Sequence, residues 1–263
     1  MKILLSNDDG ISADGIKCLS EVLSRQHDIY VIAPDRERSA AGHSITLHSP
    51  VMVEEVKAYC NAKKAWTITG TPGDCVKIGI NAILSKDEKP DLVISGINHG
   101  PNLGHDTLYS GTVSCAMEGA MLGFPSIAMS VAGLKFEQKY FEFAAKFVNS
   151  LISKLSEFKF PPKSILNINI PALDEKDIRG VAITKLGGRI FTDDYEKQID
   201  SEGKTYYIIA GQLIQEPVDN TTDVAAIRNN KISITPLTYD MTVESEITNL
   251  SKILCRDNLC NWF

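Results

Sequence analysis

The sequence has no apolar stretch long enough to cross a bilayer, and only Ile3, Leu4 and Leu5 precede the first acidic residues. That is too short for the apolar core of a signal peptide, so the expectation is a cytoplasmic protein without membrane contact. A basic block is also missing. The net charge is -6, a modest acidic excess that argues against nucleic acid held by its phosphate backbone. The cysteines are Cys18, Cys60, Cys75, Cys115, Cys255 and Cys260, with no Cys-x-x-Cys pair and no histidine at zinc-finger spacing. They read as reduced thiols, with Cys18, Cys75 and Cys115 inside helix-like apolar patterns and Cys255 and Cys260 the one close pair. There is no Gly-x-x-x-x-Gly-Lys-[Ser/Thr], which disfavours a P-loop triphosphatase. No Gly-x-Gly-x-x-Gly follows the first strand either, so a dinucleotide cofactor is not expected.

What is present is a chain of 263 residues, 43% hydrophobic, enough for one sizeable domain. Short apolar runs at Ile3 to Ser6, Ile29 to Ala33, Trp66 to Thr69, Leu92 to Ser95 and Ser126 to Ser130 alternate with helical patterns. Ile16, Leu19 and Leu23 recur at helical spacing, as do Val76, Ile80 and Ile83, and Val113, Met117, Ala120 and Met121. The alternation predicts an α/β fold, a mostly parallel sheet flanked by helices. Thr46 to Val56 lacks helical period and reads as an extended or hairpin insertion. A helix over Gln138 to Leu155 is broken by Pro161 and Pro162 before a sixth strand, Leu166 to Ile170.

Beyond residue 171 the pattern changes. Runs Val181 to Lys185 and Tyr206 to Ala210 flank a polar segment and predict an extended hairpin. Such a hairpin is marginal in water, so it either packs against a second subunit or is a flexible surface excursion. Asp223 to Arg228 reads as a short helix, Ile232 to Thr235 as a strand, and Val243, Ile247, Leu250 and Leu254 share one face of a closing helix. The expected organisation is a single domain with a core of residues 1–171 plus 231–254 and an arm over 172–230.

Ligands of open parallel sheets bind beyond the carboxyl ends of the strands. Four polar, Gly-rich segments follow predicted strands: SNDDGI, PDRERSAAGHS, GTPGDC and GINHGPNLGHDTLYSGT. All would open on one edge. The adjacent Asp8 and Asp9 are compatible with a simple turn, but beside the other loops they point to a cation site, because neighbouring like charges become favourable with a positive ion between them. The Ser39 hydroxyl and the Asn98 amide add hard oxygen donors, which suit Mg or Mn. His43, His99 and His105 lie in the same loops and leave nitrogen ligation of Mn or Co open. Ser110 reads as the cap of the helix that follows and Gly111 as a place of close ligand approach, so the first-turn amides form an anion site. A cation facing a helix N-terminus predicts metal-assisted phosphomonoester hydrolysis.

Taken in order, ILLSNDDGI, VIAPDRERSAAGHSIT, GTPGDCV, DLVISGINHGPNLG and LYSGTVSCAMEGA, with ISITPL near the end, resemble the SurE family of stationary-phase survival proteins. The resemblance covers most of residues 1 to 130 and part of the tail. It implies a 5'-nucleotidase with a Rossmann-like core, one divalent cation (Mg, Mn or Co), and a C-terminal arm reaching into a neighbouring subunit of a homodimer or homotetramer. The family's metal ligands map onto Asp8, Asp9, Ser39 and Asn98, and its phosphate loop onto Ser110, Gly111 and Thr112. His105 and Gly73 depart from the family pattern, and neither is a mapped ligand. The substrate expected is a nucleoside 5'- or 3'-monophosphate, with short polyphosphate open. One of Asp8 and Asp9 would orient or deprotonate the attacking water. Covalent catalysis by an aspartate is the rival chemistry. A non-catalytic nucleotide sensor using the same pocket is the rival class.

Overall fold

The computed structural model describes residues 1–133, 137–188, 192, 194–212 and 219–256. The chain runs β1 (Lys2–Ser6), α1 (Asp14–Leu23), β2 (Asp28–Pro34), β3 (Val53–Glu55), β4 (Lys64–Ile68), α2 (Pro72–Ile78), β5 (Leu92–His99) and α3 (Gly111–Met121). It continues with β6 (Ser126–Ala132), α4 (Gln138–Lys154), β7 (Ser164–Pro171), β8 (Val181–Ile183), β9 (Tyr195–Ile199), β10 (Thr205–Ile209), α5 (Asp223–Arg228), β11 (Ile232–Thr238) and α6 (Glu244–Arg256).

Nine strands form one sheet in the order β3-β4-β2-β1-β5-β6-β7-β11-β8. From β4 to β7 every neighbouring pair is parallel, while β3 and β11 join antiparallel to β4 and β7. Strands buried on both faces read as continuous apolar runs, which is why β1, β2, β5 and β6 were visible in the sequence. Helices α1 and α4 cover one face, where Ile16, Leu19, Leu23, Phe141 and Val148 share a core with Ile3, Leu5, Val31 and Ile94. Helices α2 and α3 cover the other, bringing Cys75, Val76 and Cys115 against Leu4, Ile32 and Val93. After β1 the chain steps to β2 on one side, and after β5 to β6 on the other. A topological switch therefore lies between β1 and β5, the place where doubly wound sheets open a crevice.

The second half departs from the predicted hairpin. Val181–Ile183 pairs in parallel with β11 and extends the main sheet. The partner of Thr205–Ile209 is instead Tyr195–Ile199, in a separate two-stranded ribbon exposed along both strands. Helix α5 also belongs to the body, since Val224, Ala225 and Ala226 are buried. The closing helix α6 is amphipathic as predicted, yet Ile247, Leu250 and Ile253 are exposed. The side chains of Leu254 and Cys255, and all of Cys260, lie outside the described residues, so the expectations placed on them are untouched. Cys18, Cys60, Cys75 and Cys115 are free thiols. No helix among the described residues is long and apolar enough to cross a membrane.

Candidate functional site

The loop after β1 carries Asp8 and Asp9 into the switch-point crevice. Asp8 is buried, and its main-chain oxygen accepts a 2.7 Å bond from the Arg38 amide, which ties the loop after β2 to it. Its carboxylate faces the start of α3. Thr112 donates both its hydroxyl, at 2.5 Å, and its backbone N–H to Asp8. Gly111 makes that approach possible: a Cβ there would lie 2.6 Å from Asp8 Cβ and 2.8 Å from Oδ2. Burial pushes the Asp8 carboxyl up from 3.8 to about 6. The bond from Thr112 opposes this, and the adjacent Asp9 charge adds to it.

Asp9 Oδ2 accepts from the His99 backbone N–H at 3.2 Å and lies 3.2 Å from His99 Nδ1. The Asp9 bond raises the His99 pKa, and Phe141 meets the imidazole edge-on with centroids 4.9 Å apart. Asn98 and His99 were expected in a loop, but the structure carries β5 on through both. Between Ser95 and Asn98 the β5 register shifts against β6. Such a bulge changes where the residues after it point, here next to the site. Asn98 Nδ2 donates to Gly100 O at 2.9 Å, which leaves Oδ1 as the amide's remaining oxygen donor. Ser39 is exposed, its hydroxyl donating to Glu37 Oε1 at 2.7 Å. Asp9, Ser39 and His99 line one open cleft of about 460 Å³ with Ser12, Ala13 and Glu37.

Ser110 is buried and caps α3, accepting the Val113 N–H at 3.0 Å. The capped helix start expected from the sequence is present, and the Thr112 donors in its first turn point at Asp8. His43 sits apart from the carboxylate pair: its Nε2 is 3.0 Å from Glu118 Oε2. His105 is exposed in the short helical turn Gly104–Leu108.

Two carboxylates that matter were missed. Glu118, buried within α3, binds His43 and also Lys77 Nζ at 2.9 Å, and the His43 bond foremost holds its pKa down. The signal was a lone charge in the otherwise apolar helix SCAMEGA. Asp223, fully buried, accepts the N–H groups of Gly104 at 2.8 Å, Gly187 at 2.7 Å and Val224 at 2.8 Å. It ties the loop before α3 to the start of α5, and nothing local in TTDVAA announces it.

Asp8, Asp9, Ser39 and Asn98 offer carboxylate, hydroxyl and amide oxygens, and the raised Asp8 carboxyl is the kind of group that a positive charge would return to its ionised form. That donor set fits a hard divalent cation.

Fold and crevice together define a class: an α/β protein of Rossmann-like topology whose switch point sets an acidic loop against a capped helix N-terminus. Residues 3–193 match the family described as survival protein SurE. A protein of Thermosynechococcus vestitus named 5'-nucleotidase SurE is 47% identical over 260 residues, covering 97% of each chain. Another of that name, from Synechococcus sp. strain JA-3-3Ab, is 46% identical over 255 residues, covering 96% of this chain and 97% of the relative. The crystal structure of the SurE protein from Aquifex aeolicus superposes with a TM-score of 0.83 at 40% identity, covering 95% of this chain and 98% of the other. The chain belongs to the SurE family.

Proposed function

We propose that the protein is a 5'-nucleotidase that hydrolyses nucleoside 5'-monophosphates to nucleoside and phosphate in the β1–β5 crevice. The observation that carries this reading is the buried Asp8 carboxylate, beside Asp9 and against the first turn of α3. Relatives matching nearly the whole chain and named 5'-nucleotidase support it. Asp8, Asp9, Ser39 and Asn98 would hold one divalent cation, Mg, Mn or Co. When bound, that ion supplies charge neutralisation for the phosphate and a lowered pKa for water.

The chain's own groups do the rest. The α3 start, with Ser110, Gly111 and Thr112, receives the phosphate and stabilises charge developing on its oxygens through N–H groups already held in place. The Asp9 carboxylate, kept in orientation by two bonds from His99, orients the attacking water or takes its proton. Nucleoside 3'-monophosphates and short polyphosphate belong to the same proposal as further substrates.

The ribbon β9–β10 exposes Tyr195, Ile199, Tyr207 and Ile209, and α6 exposes Ile247, Leu250 and Ile253. Apolar surface of this extent supports a homodimer or homotetramer assembled through the arm over 172–230 and the closing helix. Free thiols at Cys18, Cys60, Cys75 and Cys115 support a cytoplasmic setting.

The test is phosphate release from a panel of nucleoside monophosphates with Mg, Mn or Co, with and without chelator. Chelator-sensitive release, abolished by Asp9→Asn in a folded protein, is expected. Full activity in both Asp8→Asn and Asp9→Asn would refute the site. Metal-dependent nucleotide binding without release under any metal would favour the sensor reading. Phosphate trapped on the protein by rapid quenching would replace activated water with an aspartyl nucleophile.

A further inference from the structure

We propose that His43 and Glu118 form a latch that sets the Ser39 loop against the phosphate-receiving turn of α3, making both of them positioning residues for the hydrolysis. The inference rests on the site proposed above and adds residues outside its ligand set.

The loop between β2 and β3 is held at both ends. Near its start, the Arg38 N–H binds Asp8 O at 2.7 Å. Further on, Thr46 donates its N–H and hydroxyl to Asp74, and Thr71 donates its hydroxyl to Ser44 O. Ser39 lies between these anchors and is exposed. Two contacts join this stretch to the α3 side. The Gly42 N–H donates to Tyr109 O at 3.0 Å, directly before Ser110, and His43 Nε2 reaches Glu118 Oε2 at 3.0 Å.

Glu118 follows Gly111 by two helical turns, so the two share a face of α3. It is therefore on the rigid element that also presents the turn beside Asp8. A buried carboxylate in an apolar helix is not there for packing, since an apolar residue of similar size would fill the space at lower desolvation cost. Its two oxygens are divided between elements: Oε1 takes Lys77 of α2 and Oε2 takes His43 of the loop. The Lys77 bond keeps the carboxylate partnered when His43 is removed, so His43 can be replaced without stranding a buried charge.

The test compares His43→Ala, His43→Gln, Lys77→Ala and the pair His43→Ala/Glu118→Gln. Because small misplacements near reacting groups cost up to about 100-fold in rate, His43→Ala is expected to lower kcat/KM by about 10- to 100-fold while the unfolding midpoint stays near wild type. Two further readings use protein without substrate: Mn affinity by titration, and amide hydrogen exchange over Ala41 to Thr46 without metal. His43→Ala should weaken Mn binding and speed exchange. His43→Gln, whose Nε2 carries an N–H in the corresponding place, should restore part of both. Lys77→Ala should change neither, and the double variant should be no worse than His43→Ala alone. Unchanged Mn affinity and exchange in His43→Ala, or additive losses in the double variant, would overturn the latch. If the wild-type protein released no phosphate, the nucleotidase reading would fall, while the Mn and exchange measurements would still decide the latch.

Discussion

Replacing Asp8 by Asn should make the metal-free protein more stable, and the gain should depend on pH in a definite way. The carboxyl is raised from 3.8 to about 6 in the folded chain, so between those values the native state holds a proton that the unfolded state lacks. Ionised Asp8 thus opposes folding fully above about pH 6, and the penalty fades as pH falls toward 3.8. At about 1.4 kcal/mol per pKa unit, the gap is worth about 3 kcal/mol. Asn keeps an oxygen to accept the Thr112 hydroxyl and carries no charge, so Asp8→Asn should gain up to that amount at pH 8. For a chain of this size that is an increase of about 5–10 °C in unfolding midpoint. The assay is thermal or urea unfolding in chelator at pH 8 and at pH 4, at one protein concentration. The advantage should be large at pH 8 and nearly gone at pH 4. Saturating Mn should reverse the order, because a ligand at about 1,000 times its Kd stabilises the binding-competent wild type by about 4.1 kcal/mol, more than the gain from the substitution. A variant less stable than wild type in chelator at pH 8, or an advantage equal at both pH values, would refute the reasoning.

Gly111→Ala places a methyl within 2.6 Å of Asp8 Cβ, so it should destabilise by about 1–3 kcal/mol and abolish phosphate release, which unfolding and activity assays read together. Asp223→Ala leaves the buried Gly104 N–H and the half-buried Gly187 N–H without their acceptor and should cost about 3 kcal/mol in urea unfolding; a loss below about 1 kcal/mol would show that the two loops do not depend on it.

The parallel body of the fold was legible because β1, β2, β5 and β6 are buried on both faces and helices α1 and α4 each present one apolar stripe. That same strand order places Asp8, Asp9 and Ser110 at one edge of the sheet. What escaped the sequence depended on partners far along the chain. Val181–Ile183 is only three residues long, and its pairing with β11 is decided some fifty residues later. Tyr195–Ile199 is exposed on both faces and so has no alternation to read. The bulge after Ser95, which carries β5 through Asn98 and His99, is a backbone event with no side-chain period. Glu118 and Asp223 act through contacts across the fold, so periodicity could mark their positions without revealing their bonds.

The two bonds from Thr112 to Asp8 join the acidic loop to the helix start. A cation drawing on the Asp8 oxygens competes with Thr112 for them, and an anion settling on the helix start competes with Asp8 for Thr112. Each newcomer loosens what the other must displace, so occupancy of either place raises affinity at the other by the same factor, as reciprocity requires. In the proposed site, cation and phosphate would thereby bind as a pair, each taking up a hydrogen-bonding group that the other sets free.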